Sequence, residues 1–291
     1  MVSHHNPIGA IALPTLLMVC SFPAFAQSDG PRGIVESPCP PAAAAPPEMK
    51  AMAEKMLAPG NKLNIDFFKG LNSGPGAAEH LKVVQEQRER DWADLCHYKA
   101  ANAALTGKPR PEVVFMGDSI TEGWAGGDPG YMQGRRVGRG VSGQTTPQML
   151  VRFYADVIAL RPRVVHIMGG TNDIGGNTGP TTLQDVKNNI LAMVDLAQAH
   201  QVRVVLAGIP PSKYLWWCGI DPRHSIAEIN AWLRQVADQR KLVYVDYSSV
   251  LAAQDGGMKD TVSNDGVHPN RAGYEVMRPL AERAIAQAMG R

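Results

Sequence analysis

The chain has 291 residues, 44% of them hydrophobic, and a formal net charge of +2 at pH 7. A chain of this size can bury a large core without metals or staples, so it suits one folded domain with appendages. The near-neutral balance removes any electrostatic case for a nucleic acid or an anionic membrane as partner, and Arg135, Arg136 and Arg139 read as a solvated face.

Residues 1–26 have the form of a signal peptide. An apolar run from Ile8 to Phe22 precedes the small-residue site Ala24-Phe25-Ala26, although His4 and His5 stand where Lys or Arg is usual. The run is too short for a membrane span. The expectation is a periplasmic or secreted protein beginning at Gln27 after signal-peptide removal, with no stable membrane insertion. Cys39, Cys96 and Cys218 then remain. Any two can pair in an oxidising compartment, and Cys96–Cys218 is favoured because both lie in the folded region; buried free thiols are an equal alternative. No CxxC spacing occurs, so no metal is expected at the cysteines.

Residues 27–47 form a Pro/Ala-rich linker. Residues 48–108 read as an N-terminal helical extension: a helix from Met49 to Leu57, a loop from Gly70 to Gly76, and a long helix from Glu79 to Leu105 marked by Leu81, Val84, Leu95 and Leu105. From residue 109 the pattern changes. Val113–Met116, Arg163–Met168, Val202–Ala207 and Leu242–Val245 are apolar runs ended by Gly or Asp, and a weaker strand spans Arg136–Gly140 beside the first. Such runs suit strands covered on both faces. Helical faces follow at Leu183, Val186, Ile190, Val194 and Ala197, at Ile226, Ile229, Leu233 and Val236, and in a final helix from Ala272 to Met289. The fold class is therefore α/β: a three-layer α/β/α sandwich with a mainly parallel five-stranded sheet over residues 109–291. Ligands of such sheets bind outside the carboxyl ends of the strands, where Ser119, Gly143, Asn172 and Ile209-Pro210-Pro211 fall.

Three of these features carry chemistry. Ser119, after Gly117-Asp118, opens a helix at a strand end; with a base it is a nucleophile, without one a helix cap. Asp265-Gly266-Val267-His268 places a carboxylate three residues before an imidazole, which supplies a base and its orienter. The order Ser, Asp, His completes a hydrolytic triad. The other histidines lie mid-strand (His166) or in and beside helices (His80, His97, His200, His224). Gly138-Arg139-Gly140-Val141-Ser142-Gly143 matches Gly-x-Gly-x-x-Gly but does not follow the first strong strand, so no dinucleotide is expected. Gly143 and Asn172 instead offer donors for an oxyanion, alongside the Ser119 N–H. Asp118, Asp173, Asp265 and His268 form a rival set of hard-ion ligands for a phosphodiesterase. Trp124, Tyr214, Trp216 and Trp217 are candidate substrate-binding aromatics, with loop anchoring as the alternative.

Together these blocks resemble the SGNH hydrolases, also called GDSL esterases and lipases. Gly117-Asp118-Ser119 looks like the first block, Gly143 the second, Asn172 the third, and Asp265 with His268 the last, in the right order over about residues 110–290. The resemblance implies a flavodoxin-like fold, Ser119 as nucleophile, Asp265 and His268 as orienter and base, an oxyanion hole of Ser119, Gly143 and Asn172, and no cofactor or metal. Gln144 departs from it, since an acidic residue is common there. The Gly-Asp-Ser-Ile-Thr-Glu-Gly-Trp run is similar to that of acetylhydrolases acting on small acyl esters, including acetylated carbohydrates. The alternatives are a lysophospholipase or thioesterase and a non-catalytic glycan-binding module. The natural ester, acyl length, hydrolysis versus acyl transfer, and oligomeric state stay open.

Overall fold

The computed structural model describes residues 34–36, 38–40, 47–64, 66–68 and 77–290. The expected leader, most of the linker and the Gly70–Gly76 loop lie outside the described residues. The chain divides into two compact units, Met1–Cys39 and Pro40–Arg291. The described residues of the first have no helix or strand.

Within the second unit, α1 (Pro47–Leu57), α2 (Ala77–Arg90) and α3 (Lys99–Ala103) precede the sheet. The strands are β1 (Val113–Gly117), β2 (Arg136–Gly140), β3 (Val164–Met168), β4 (Arg203–Ala207) and β5 (Val243–Val245). They pair in the order β2-β1-β3-β4-β5, all parallel. Around them run α4 (Ser119–Gly127), α5 (Thr146–Phe153, continued by a π turn over Tyr154–Ile158), α6 (Thr171–Ile174), α7 (Leu183–Ala199), α8 (Arg223–Arg240), α9 (Ser248–Leu251) and α10 (Arg271–Ala288).

The expected sandwich is present, and its cause is visible in β1. Val113 and Phe115 enter one core with Trp124, Tyr274 and Met277; Val114 and Met116 enter the other with Met149, Ile190 and Leu233. Successive side chains of a strand point to opposite faces, so an uninterrupted apolar run feeds both. Local signals set the helix starts. The Asp118 carboxylate accepts the Ile120 N–H, Thr182 and Asp185 form a capping box, and Asn270 caps α10 through the Gly273 N–H. The register pairs Gly117 of β1 with Gly140 of β2 and Met168 of β3, so the loops after all three strands open on one edge.

Two expectations are corrected. The helix over Glu79–Leu105 is two helices, because the Asp91 carboxylate accepts the Leu95 and Cys96 N–H groups, each at 2.8 Å, and Asp94 is left-handed at φ 54°. That competing local bond pattern ends α2 at Arg90. Nor do Cys96 and Cys218 pair: Cys39 and Cys96 each stand in a disulfide, and Cys218 is an exposed thiol. Its turn directs Sγ at the Leu215 carbonyl, 3.7 Å away.

Candidate active site

Gly117 ends β1 where no other residue fits; a Cβ there would lie 2.1 Å from Thr121 Oγ1 and 2.6 Å from the Met168 carbonyl. The chain therefore turns tightly into α4 and leaves Ser119 half-buried on its first turn, at the open edge of the sheet. Ser119 Oγ stands 2.9 Å from His268 Nε2. On the other side of the ring, His268 Nδ1 is 2.6 Å from Asp265 Oδ2. With Nδ1–H donating to the carboxylate, Nε2 is free to accept the serine proton.

The Asp265 side chain is 2% exposed and fully supplied with donors. Oδ1 accepts the Val267 and His268 N–H groups at 2.9 and 2.8 Å and the Ser263 hydroxyl at 3.3 Å. Oδ2 also accepts the Trp216 indole N–H at 3.3 Å. Gly266, left-handed at φ 79°, closes this turn and donates to Ser263 Oγ at 2.9 Å. Burial pushes the Asp265 carboxyl up, but the charge and hydrogen bond of His268 and the two backbone donors outweigh it and hold it low. Burial likewise lowers His268, and the Asp265 charge, its hydrogen bond and the Asp118 charge together raise it above the ordinary 6.5.

The second wall follows β2 and β3. Gly143 is left-handed at φ 78°, and its carbonyl accepts Asn177 Nδ2 at 3.0 Å. Asn172 is 4% exposed. Its Nδ2 donates to the Gln144 carbonyl at 3.0 Å and reaches Asp118 Oδ2 at 3.4 Å, while its Oδ1 accepts Asn177 Nδ2 at 2.9 Å. Asn172 is thus held against the immediate neighbours of Ser119 and Gly143. The Gly143 loop is fixed from behind by Glu122, whose carboxylate accepts the Ser142 N–H at 2.8 Å and the Ser142 hydroxyl. Burial pushes Asp118 up to about 6.

The four aromatic candidates part company. Trp124 is wholly buried in the core among Phe115, Tyr131, Tyr247 and Tyr274, so it cannot contact a substrate. It is an amphipathic-helix residue on the inner face of α4. Trp216 is stacked on Phe68, with centroids 3.7 Å apart and planes at 10°. Trp217 packs edge-on to Trp216 at 5.4 Å and donates to Asn177 Oδ1 at 2.9 Å. Tyr214 is exposed. Of the rival metal ligands, Asp118 caps α4 and Asp173 accepts the Thr146 N–H and hydroxyl. Among the described residues no group of three or more His, Cys, Asp or Glu side chains could hold a metal ion.

Sequence reasoning missed Asn177, Glu122, Arg152 and Phe68. Arg152 is fully buried, donating to Gln144 Oε1, Asp156 and the Gly117 carbonyl. Its one signal was an acid four residues on, at Asp156. The departure at Gln144 also gains a reason: the amide accepts from Arg152 and donates to the Ala93 carbonyl at 2.8 Å, which a carboxylate could not do.

Residues 115–276 match the GDSL-like Lipase/Acylhydrolase family. The chain belongs to this family. The match contains Ser119, Gly143, Asn172, Asp265 and His268, and stops short of α1, α2 and α3. Among solved structures, this acylhydrolase is similar to a protein of Bacteroides fragilis designated an acylhydrolase, at 40% identity and TM-score 0.65, covering 68% of this chain and 98% of that one. A GDSL-like lipase from Bacteroides thetaiotaomicron is 36% identical with TM-score 0.65, covering 67% and 98%. An acetyl xylan esterase shares the fold at 21% identity and TM-score 0.50, covering 59% and 98%. No curated protein matches the chain. The protein is accordingly a hydrolase acting on esters. No helix among the described residues is long and apolar enough to cross a membrane.

Proposed function

We propose that this family member is an exported serine esterase that removes small acyl groups, acetyl foremost, from hydroxylated alcohols such as carbohydrates. The observation that carries the reading is the unbroken line from Ser119 Oγ through His268 to Asp265, at 2.9 and 2.6 Å. His268 Nε2 takes the Ser119 proton as Oγ attacks the ester carbonyl. Asp265 steadies the imidazolium. The oxyanion receives the Ser119 and Gly143 N–H groups and the Asn172 amide. Collapse returns the proton from His268 to the departing alcohol and leaves an acyl-Ser119. A water, deprotonated by His268, then releases the acid and regenerates the serine.

Support for a short acyl group is the similarity of the run from Gly117 to Trp124 to that of acetylhydrolases, beside the fold shared with an acetyl xylan esterase. Support for export is the leader sequence together with Cys39 and Cys96 in disulfides. The reading is tested by product release from acetylated xylan, acetylated peptidoglycan, a lysophospholipid and an acyl-CoA, with Ser119→Ala as control. Acetate from a carbohydrate, absent with Ser119→Ala, is the expected result. Preference for the lysophospholipid or the thioester would overturn the substrate class.

A further inference from the structure

The segment before the matched family region grips the loop that carries Asp265. Asn264 Nδ2 lies against the carbonyls of Lys55, Met56 and Ala58 at 2.9, 2.9 and 2.7 Å, and the Leu63 N–H donates to the Asn264 carbonyl at 2.8 Å. A few residues on, Phe68, 8% exposed, lies flat on Trp216. The indole N–H of Trp216 reaches Asp265 Oδ2, the oxygen that also meets His268 Nδ1. Trp216 sits on the loop after β4, in a turn closed by the bridge between Leu215 and Ile220. Phe68 covers one face and Trp217 packs edge-on.

We propose that Phe68 is a positioning residue for the serine-esterase reaction above, on which this inference rests: by stacking on Trp216 it keeps the indole N–H on Asp265 and so fixes the carboxylate toward His268. The segment outside the family match is then a working part of the active site. Trp216 acts within this relay, not as an open platform for a sugar ring.

The pH profile of kcat/KM for p-nitrophenyl acetate tests this on the full chain, with Phe68→Ala, Phe68→Trp, Trp216→Phe and the double variant Phe68→Ala/Trp216→Phe. The lost N–H leaves more charge on the carboxylate facing the imidazolium, so His268 titrates higher. Phe68→Ala and Trp216→Phe each move the acidic limb up by a few tenths of a pH unit and lower kcat about tenfold, the worth of one hydrogen bond to a charged group. Phe68→Trp, which keeps a stacking ring, restores both. The double variant is no worse than the poorer single one, because both act through one bond. Limbs that coincide with the wild type, or losses that multiply in the double variant, would overturn the relay. Turnover retained by Ser119→Ala would overturn the serine mechanism itself, and the relay with it.

Discussion

Asp265 is saturated with donors while Ser119 remains half-buried and reachable, and that contrast divides the work of the site. The carboxylate cannot wander, so its charge is spent on the imidazole. Since the base must be neutral to take the serine proton, kcat/KM should fall as pH drops through the raised His268 value, with a midpoint above pH 6.5 in a pH-rate profile. A midpoint below that value would contradict the assignment. Asn172→Ala removes the amide proposed as an oxyanion donor; kcat should fall by about 100-fold or more with little change in KM. That Ser119, Asp265 and His268 meet, at 2.9 and 2.6 Å, was legible because a proposed nucleophile, orienter and base must be those residue types, near strand ends, in an order the chain displays. Trp124 was misread for a physical reason. Proximity to Ser119 in sequence says nothing about which helix face a residue occupies, and position 124 faces the sheet. Asn177 carried no signal at all, since a loop amide acquires meaning only from the groups it meets across the fold.

Among the elements, β2 packs so closely on α4 that its glycines are unequal. A Cβ on Gly140 would lie 2.1 Å from the Glu122 backbone nitrogen and 2.6 Å from the Asp118 carbonyl, whereas one on Gly138 meets nothing within 4 Å. Gly140→Ala should destabilise the protein by about 2 kcal/mol or more, read as a lowered urea midpoint. Gly138→Ala, in the same strand, should stay within about 0.5 kcal/mol. Equal effects would mean that β2 and α4 are not in contact as described. The five strands could be anticipated because continuous apolar runs between turn residues have few alternatives in an α/β chain. The break at Asp91 could not, because the helical spacing of apolar residues continues through it and the competing bonds are made by a single carboxylate.

For the molecule as a unit, the segment before the sheet is integrated with it. Besides its grip on Asn264, it meets the opposite wall of the site, where Gln148 Nε2 donates to the Trp92 carbonyl at 2.6 Å and Tyr98 donates to the Gly140 carbonyl. Asn264→Ala should cost about 1 kcal/mol of stability and speed proteolytic cleavage within residues 55–68, because the part-buried carbonyls of Lys55, Met56 and Ala58 lose the Asn264 amide and only those of Lys55 and Ala58 keep Asn61 Nδ2. Unchanged cleavage would show that the segment is held by other means. Composition and pattern indicated an extension but not its purpose, since contacts two hundred residues apart leave no periodic trace. The most direct test of the central claim is covalent trapping. The intact protein, treated with a small alkyl fluorophosphonate and mapped by peptide mass spectrometry, should carry one adduct, on Ser119, and none after His268→Ala. An unmodified Ser119, or an adduct at another serine, would contradict the assignment.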